Sequence, residues 1–361
     1  MPFFCEIPES RKSITDGLVE RIRRPAHIFS YPLFSLFTAA LFSGCFFQDK
    51  YERHFFAFDT AIDITLYSSN NPSLIIDSLE HVIVNLDSLL SISNPESDIW
   101  KVNHRHGPVV RVRPFTASIA RFCETECDSS KGLFDITVAP LKFLYGLESH
   151  QTAHHVPTNV ELDSVRRFIG CGRVYVLGDS ALMLDSGVTI DFGGIAKGYL
   201  LALAKDILVH AGEAQFLINL GGDLIAWGDK PDGKPWNVGI QHPRIDSSLI
   251  ATLSVRSTCV FTSGDYERYF VENGVRYHHI FDPRTCVPGR KNQSATVVGP
   301  DPMLSDASVK IAFLLDAPDA LGYLRLRGLE GIIVDSTGKT WASSGLKTVL
   351  QPSEAVTVEY R

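Results

Sequence analysis

The sequence predicts an α+β fold of mixed, largely antiparallel sheets with flanking helices. Two observations carry this. Short alternating or β-branched runs, bounded by Gly, Pro and Asn, recur through most of the chain. The segments of helical period between them are too few for strict strand–helix alternation, which argues against a doubly wound sheet. With 45% hydrophobic and 21% charged residues over 361 positions, the chain is no disordered tail and can bury a large core. Its net charge of −7 argues against a nucleic-acid binder.

In chain order, the basic residues Arg21, Arg23 and Arg24 precede an apolar run over 28–42 that ends in Ser43-Gly44-Cys45. A basic start, an apolar stretch and small residues before a cysteine make an export signal of the lipoprotein kind, with Cys45 as the lipidated residue. The run is interrupted by Pro32 and falls short of the ~20 apolar residues a membrane span requires. An uncleaved anchor is the alternative. Residues 1–44 are thus expected to be a leader, of which 1–20 fit no signal pattern. Residues 45–54 form a linker, 55–350 a single domain and 351–361 a C-terminal tail.

Alternation over 55–67 predicts a strand, and the apolar spacing from Leu74 to Leu90 predicts a helix over 72–91. A second helix covers 115–130. Residues 132–145 are a loop entering a helix, with Pro140 early in it. The polar stretch 150–160 is a loop. Short strands follow at 174–177, 182–184 and 188–190, then a helix over 195–211 behind a Gly-Gly turn. Strands are expected at 216–219, 224–227, 236–240, 250–255 and 260–262. A turn becoming a helix covers 302–316, and late strands fall at 332–334 and 348–350. Cys123 and Cys127, four apart on a helix, share a face. With Cys171, Cys259 and Cys286 they are expected to be buried thiols, a bridge being the alternative in an oxidising compartment.

Five segments concentrate chemistry. In Asp191-Phe192-Gly193-Gly194-Ile195-Ala196-Lys197 a strand passes through two glycines into a helix. Glycines admit a ligand close to the backbone and helix N-terminal amides favour anions. Lys197 suits a phosphate and Asp191 a ribose or ring N–H, although a plain tight turn has the same appearance. Asn219-Leu220-Gly221-Gly222-Asp223 is a second glycine turn, readable as a simple hairpin. Thr262–Arg268, followed by His278-His279-Ile280-Phe281-Asp282, gathers acid/base capacity; a metal would lack a third ligand at a recognisable spacing. Leu133-Phe134-Asp135 sits before a helix, where Asp135 is suited to capping. Asp306 is either a helix cap or a carboxylate for a hard cation.

Taken in this order, the segments resemble the ApbE family, the FAD:protein FMN transferases, from about Phe56 to Asp316. The matching stretches include FAFDT (56–60), GLFDITVAPL (132–141), DFGGIAKGY (191–199), INLGGDL (218–224), TSGDYERYF (262–270), HHIFDPRT (278–285) and SDASVKIAFLL (305–315). The resemblance implies FAD as substrate, a divalent cation, usually Mg²⁺, and transfer of the FMN half to a Thr or Ser hydroxyl of a target protein with release of AMP. It implies targets among the flavin subunits of membrane redox complexes, such as the sodium-pumping NADH:quinone reductase, and a periplasmic or outward-facing, lipid-anchored location. An FAD pyrophosphatase and a non-catalytic FAD-binding lipoprotein are the alternatives.

Carried onto this sequence, the resemblance places Phe58, Ser93, Leu133, Phe134 and Asp135 along the FAD. Asp191 and Lys197 fall at nucleotide contacts, and the carbonyls of Gly194 or Ala196 with Asp306 at the metal. It places His279 and Ile280 at the reaction centre, His279 as the base and Asp282 orienting the loop. The sequence departs from the family pattern at Phe58 (usually Met), Ser93 (Tyr), Ala202 (Asp), Cys286 (Gly) and Lys310 (Thr). A protonated lysine has no lone pair for a metal. At position 310 it would repel a cation or put its own ammonium where the metal charge sits.

Overall fold

The protein is described here by a computed structural model covering residues 48–148 and 153–361. The leader and Cys45 lie outside the described residues. A nine-stranded sheet organises them: β1 (Asp49–Ala57), β2 (Thr60–Ser68), β3 (Phe216–Leu220), β4 (Asp223–Trp227), β5 (Thr258–Gly264), β6 (Asn292–Gly299), β7 (Glu330–Asp335), β8 (Thr340–Ala342) and β9 (Val358–Tyr360). Spatial order follows chain order. Every neighbouring pair is antiparallel except the last, β8–β9.

Alternation splits this sheet between two cores, because successive side chains in a strand point to opposite faces. Ile225, Phe261, Val297 and Ile333 face the helices. Leu224, Val260, Val298 and Ile332 face a small sheet formed by 236–241, 249–255 and 350–352. The helical layer comprises α1 (Ser73–Leu90), α2 (Asp98–Asn103), α3 (Pro114–Ser129), α4 (Ala139–Tyr145), α5 (Asn159–Arg166), α6 (Ala196–His210), α7 (Pro302–Leu314) and α8 (Ala317–Leu326). Of these, α7 lies against β5 and β6, α8 against β7, and α6 bridges α1 and α7. Among the described residues no helix is long and apolar enough to cross a membrane.

The α+β expectation stands, and most elements fall within a residue or two of their predicted bounds. Five differences stand out, and the first three have evident physical causes. The expected linker contains most of β1, whose outer half is solvent-facing and so lacks an apolar signature. The single strand predicted over 55–67 is a hairpin that turns at Phe58 and Asp59, both at positive φ, without the Gly or Asn that usually marks such a turn. Residues 188–190 form no strand. The side-chain amide of Asn103 stands in for a neighbour, donating to the Ile190 carbonyl (2.9 Å) and accepting its N–H (2.8 Å). β6 and the helices α2, α5 and α8 are not among the elements expected from the sequence. The expected tail supplies β9 and most of the strand at 350–352, which pairs with 249–255.

The cysteines also differ from expectation. Cys127 at the end of α3 is bridged to Cys171, with a Cα–Cα distance of 5.8 Å, while Cys123, Cys259 and Cys286 are buried thiols. The bridge closes 44 residues of chain, from the end of α3 across α4 and α5. Closing a loop of that size restricts the unfolded chain and contributes about 2–4 kcal/mol. Cys171→Ser should therefore lower the denaturant midpoint by a matching amount, and a reducing agent should lower the wild type but not the variant.

Candidate active site

A cleft of about 600 Å³ opens at one end of the large sheet. The turns β1–β2 and β3–β4 and the end of β5 meet there because the strands run antiparallel in chain order. Gly221, in the β3–β4 turn, has φ +59°, and a Cβ on it would come within 2.0 Å of Thr60 Oγ1. Only glycine lets these two turns lie side by side.

Three lysines line the cleft, and each is held by an aspartate in the same way. Lys142 of α4 pairs with Asp191 Oδ2, while Asp191 Oδ1 accepts the Gly193 N–H at 2.7 Å. Lys197 in the first turn of α6 donates to Asp223 Oδ2 at 3.0 Å, while Asp223 Oδ1 accepts the Thr262 N–H at 3.0 Å. Lys310 of α7 pairs with Asp306 Oδ1, while Asp306 Oδ2 accepts the Gly198 N–H at 2.7 Å. One oxygen thus fixes backbone and the other fixes an ammonium.

Burial works against the charged form of Asp191, but the Lys142 ammonium and the Gly193 N–H outweigh it and hold the carboxyl below the usual range. Burial lowers Lys197 and Asp223 more than restores it, which holds that ammonium above the ordinary lysine pKa. Asp306 is the most deeply buried of the three. Burial raises its carboxyl, and Lys310 is the largest influence opposing that rise.

The two adjacent histidines have different surroundings. His278 is buried. Its Nε2 lies 2.7 Å from the Gly289 carbonyl and must donate; its Nδ1 accepts the Ile280 N–H at 3.2 Å. That pairing suits only the neutral ring, and burial brings its pKa down to about 4. His279 lines the cleft. Its Nδ1 lies 3.4 Å from the Arg268 carbonyl, an acceptor, which assigns the proton to Nδ1 and leaves the Nε2 lone pair free. Burial first, then the charges of Lys142 and Arg268, keep this ring neutral, well below the ordinary histidine pKa.

Of the residues singled out in the sequence, Phe58, Ser93, Asp191, Ala196, Lys197 and His279 line the cleft. Others lie behind it. Leu133, Phe134 and Ile280 are in the apolar core, with Phe134 backing Gly194, which is itself outside the lining. Asp135 caps a short helical turn by accepting the Thr137 N–H and hydroxyl at 2.8 and 2.7 Å. Asp282, expected among the catalytic groups, is engaged by Arg284 through its own turn and does not line the cleft. Sequence reasoning missed Lys142, whose one signal is a single cation in the otherwise apolar helix 139–145. It also left Asp223 and Arg268 without roles.

The dication implied at Asp306 does not fit the residues present. Both oxygens of Asp306 are occupied by positively polarised donors, and the ammonium of Lys310 stands on the cleft side.

A glycine-lined approach, anchored ammonium groups and a neutral imidazole define a centre that can hold a phosphorylated ligand and take a proton beside it. Residues 58–333 match the model of the ApbE family, and the chain belongs to that family. It is 31% identical over 284 residues to the FAD:protein FMN transferase of Klebsiella pneumoniae (strain 342), covering 76% of this chain and 86% of that protein. The crystal structure of the ApbE protein of Thermotoga maritima is 30% identical, with a TM-score of 0.77 over 83% of this chain and 99% of that one. The flavin transferase ApbE of Vibrio cholerae shares the fold, at a TM-score of 0.76 and 22% identity over 84% of this chain and 99% of that one.

Two outcomes test this geometry. The folded state holds His278 at about 4 against an ordinary 6.5, so its neutral ring stabilises the fold above pH 6.5, and that stability is lost as pH falls towards 4. The total loss across that range amounts to about 3 kcal/mol. Unfolding measured between pH 4 and 7 should show it in the wild type and show less of it in His278→Gln. Separately, a Cβ on Gly198 would come within 2.7 Å of Asp306 Cβ and 2.8 Å of the Pro302 carbonyl. Gly198→Ala should force α6 and α7 apart and cost about 1–3 kcal/mol in urea unfolding.

Proposed function

We propose that this chain is an FAD:protein FMN transferase, moving the FMN half of FAD to a Thr or Ser hydroxyl of a target protein and releasing AMP. The observation that carries the reading is the neutral His279 beside the three anchored lysines in one cleft of an ApbE-family fold. The hydroxyl attacks the FMN phosphorus, the Nε2 lone pair of His279 takes its proton, and the bond to the AMP oxygen breaks. Negative charge on the phosphates is met by Lys142, Lys197 and Lys310, each already oriented and so needing little reorganisation. Phe58 at the hairpin turn offers a ring at the mouth of the cleft against which a flavin can pack.

The acceptor is expected to be a flavin subunit of a membrane redox complex of the sodium-pumping NADH:quinone reductase type. The supporting feature is the basic–apolar–Ser-Gly-Cys leader, which would place a lipid on Cys45 and the domain at the outer face of a bacterial inner membrane.

The test is incubation with FAD and an acceptor subunit, with covalent flavin and AMP both quantified. Covalent flavin equal to AMP is expected. AMP without covalent flavin would instead indicate hydrolysis to FMN and AMP. His279→Ala should lose at least about 100-fold in transfer while still quenching FAD fluorescence. Unchanged turnover would remove His279 from the chemistry.

A further inference from the structure

We propose that Lys310 is a built-in counter-charge for the ligand's pyrophosphate, so that FAD binds here without a divalent cation. This rests on the FAD reading above and deepens it.

Lys310 lies one helical turn along α7 from Asp306, and the two pair as i,i+4 neighbours. The Asp306 side chain is 1% exposed and that of Lys310 23%, so the carboxylate is sealed behind and the ammonium faces the cleft. An ammonium carries three N–H donors. Asp306 takes one, and the others are free to meet phosphate oxygens. The pairs Lys197–Asp223 and Lys142–Asp191 repeat the arrangement on other walls of the same cleft.

A dication seated at Asp306 from the cleft side would have to take the place that Lys310 holds at Oδ1, and would then face the displaced ammonium. The rest of the cleft supplies no general positive field, because carboxylates outnumber cationic groups among its lining residues. A pyrophosphate therefore depends on directed donors, and Lys310 is the one whose counter-ion is buried most deeply.

The experiment is titration of the full chain with FAD and, in parallel, with riboflavin, which lacks the pyrophosphate, in EDTA and in Mg²⁺, followed by flavin fluorescence. The wild type should bind FAD within about twofold equally in the two media. Lys310→Met should weaken FAD binding about tenfold or more and leave riboflavin unchanged. Lys310→Thr should weaken FAD binding in EDTA and recover it in Mg²⁺. Because a lone Asp306 charge could unfold the single variants, Asp306→Asn with Lys310→Met serves as the neutral pair. It should fold, by circular dichroism, and show the same selective loss of FAD. A tenfold loss of wild-type FAD binding in EDTA, or full FAD affinity in the neutral-pair variant, overturns the inference and leaves the transferase reading standing. No FAD binding by the wild type in either medium overturns both.

Discussion

A carboxylate that shares its two oxygens between a backbone N–H and a lysine is the interaction on which the cleft depends. A lysine alone is a flexible point charge, and fixing it costs rotamer entropy. A buried carboxylate alone is costly to desolvate. Together, at Asp191, Asp223 and Asp306, each removes the other's difficulty, and the spare oxygen orders the chain next to the site. At Asp306 that second bond goes to Gly198 in the first turn of α6, where helix N–H groups have no intrahelical partner. The charge at the cleft wall is thus tied to the packing of two core helices, and the close approach at Gly198 is what permits it.

The sheet topology explains why these pairs converge. In an antiparallel run whose spatial order is its chain order, alternate connections fall at the same end. The hairpin at Phe58–Asp59, the turn at Gly221–Gly222 and the end of β5 at Gly264 are therefore neighbours without any crossover. The excursion between β5 and β6 leaves from that same end and carries His278 and His279. The helical excursion between β2 and β3 leaves from the opposite end and returns through Asp191 and Lys197.

Much of this was legible in the sequence where local pattern and environment agree. The glycine turns at Gly193–Gly194 and Gly221–Gly222 and the helix that begins near Lys197 are visible in local pattern, while the role of His279 comes from the family resemblance. What escaped depended on the partner. β1 hides because one of its faces looks at water, and β9 because three residues carry too little periodicity. The family resemblance places Leu133, Phe134 and Ile280 along the ligand, and their side chains belong to the apolar core behind the cleft lining. Lys142 is a lone cation in an apolar helix, and only the fold brings Asp191 to it. The Cys127–Cys171 bridge has the same cause, since spacing along α3 draws attention to Cys123 and says nothing of a loop cysteine 44 residues away.

The adjacent histidines show how one local pattern yields two chemistries. Both rings are neutral, for different reasons. His278 is neutral first through burial, and its two hydrogen bonds, one donated and one accepted, fit the neutral ring. His279 is neutral through burial and, in addition, through the cations around the cleft, Lys142 and Arg268. The first condition is permanent while the fold lasts. The second changes with the ligand, because an anion bound among those cations offsets their field at the imidazole and strengthens it as a base. Without such an anion, burial and the neighbouring cations keep the His279 ring neutral. In the proposed transfer, a phosphate bound there would thus also favour proton uptake by His279.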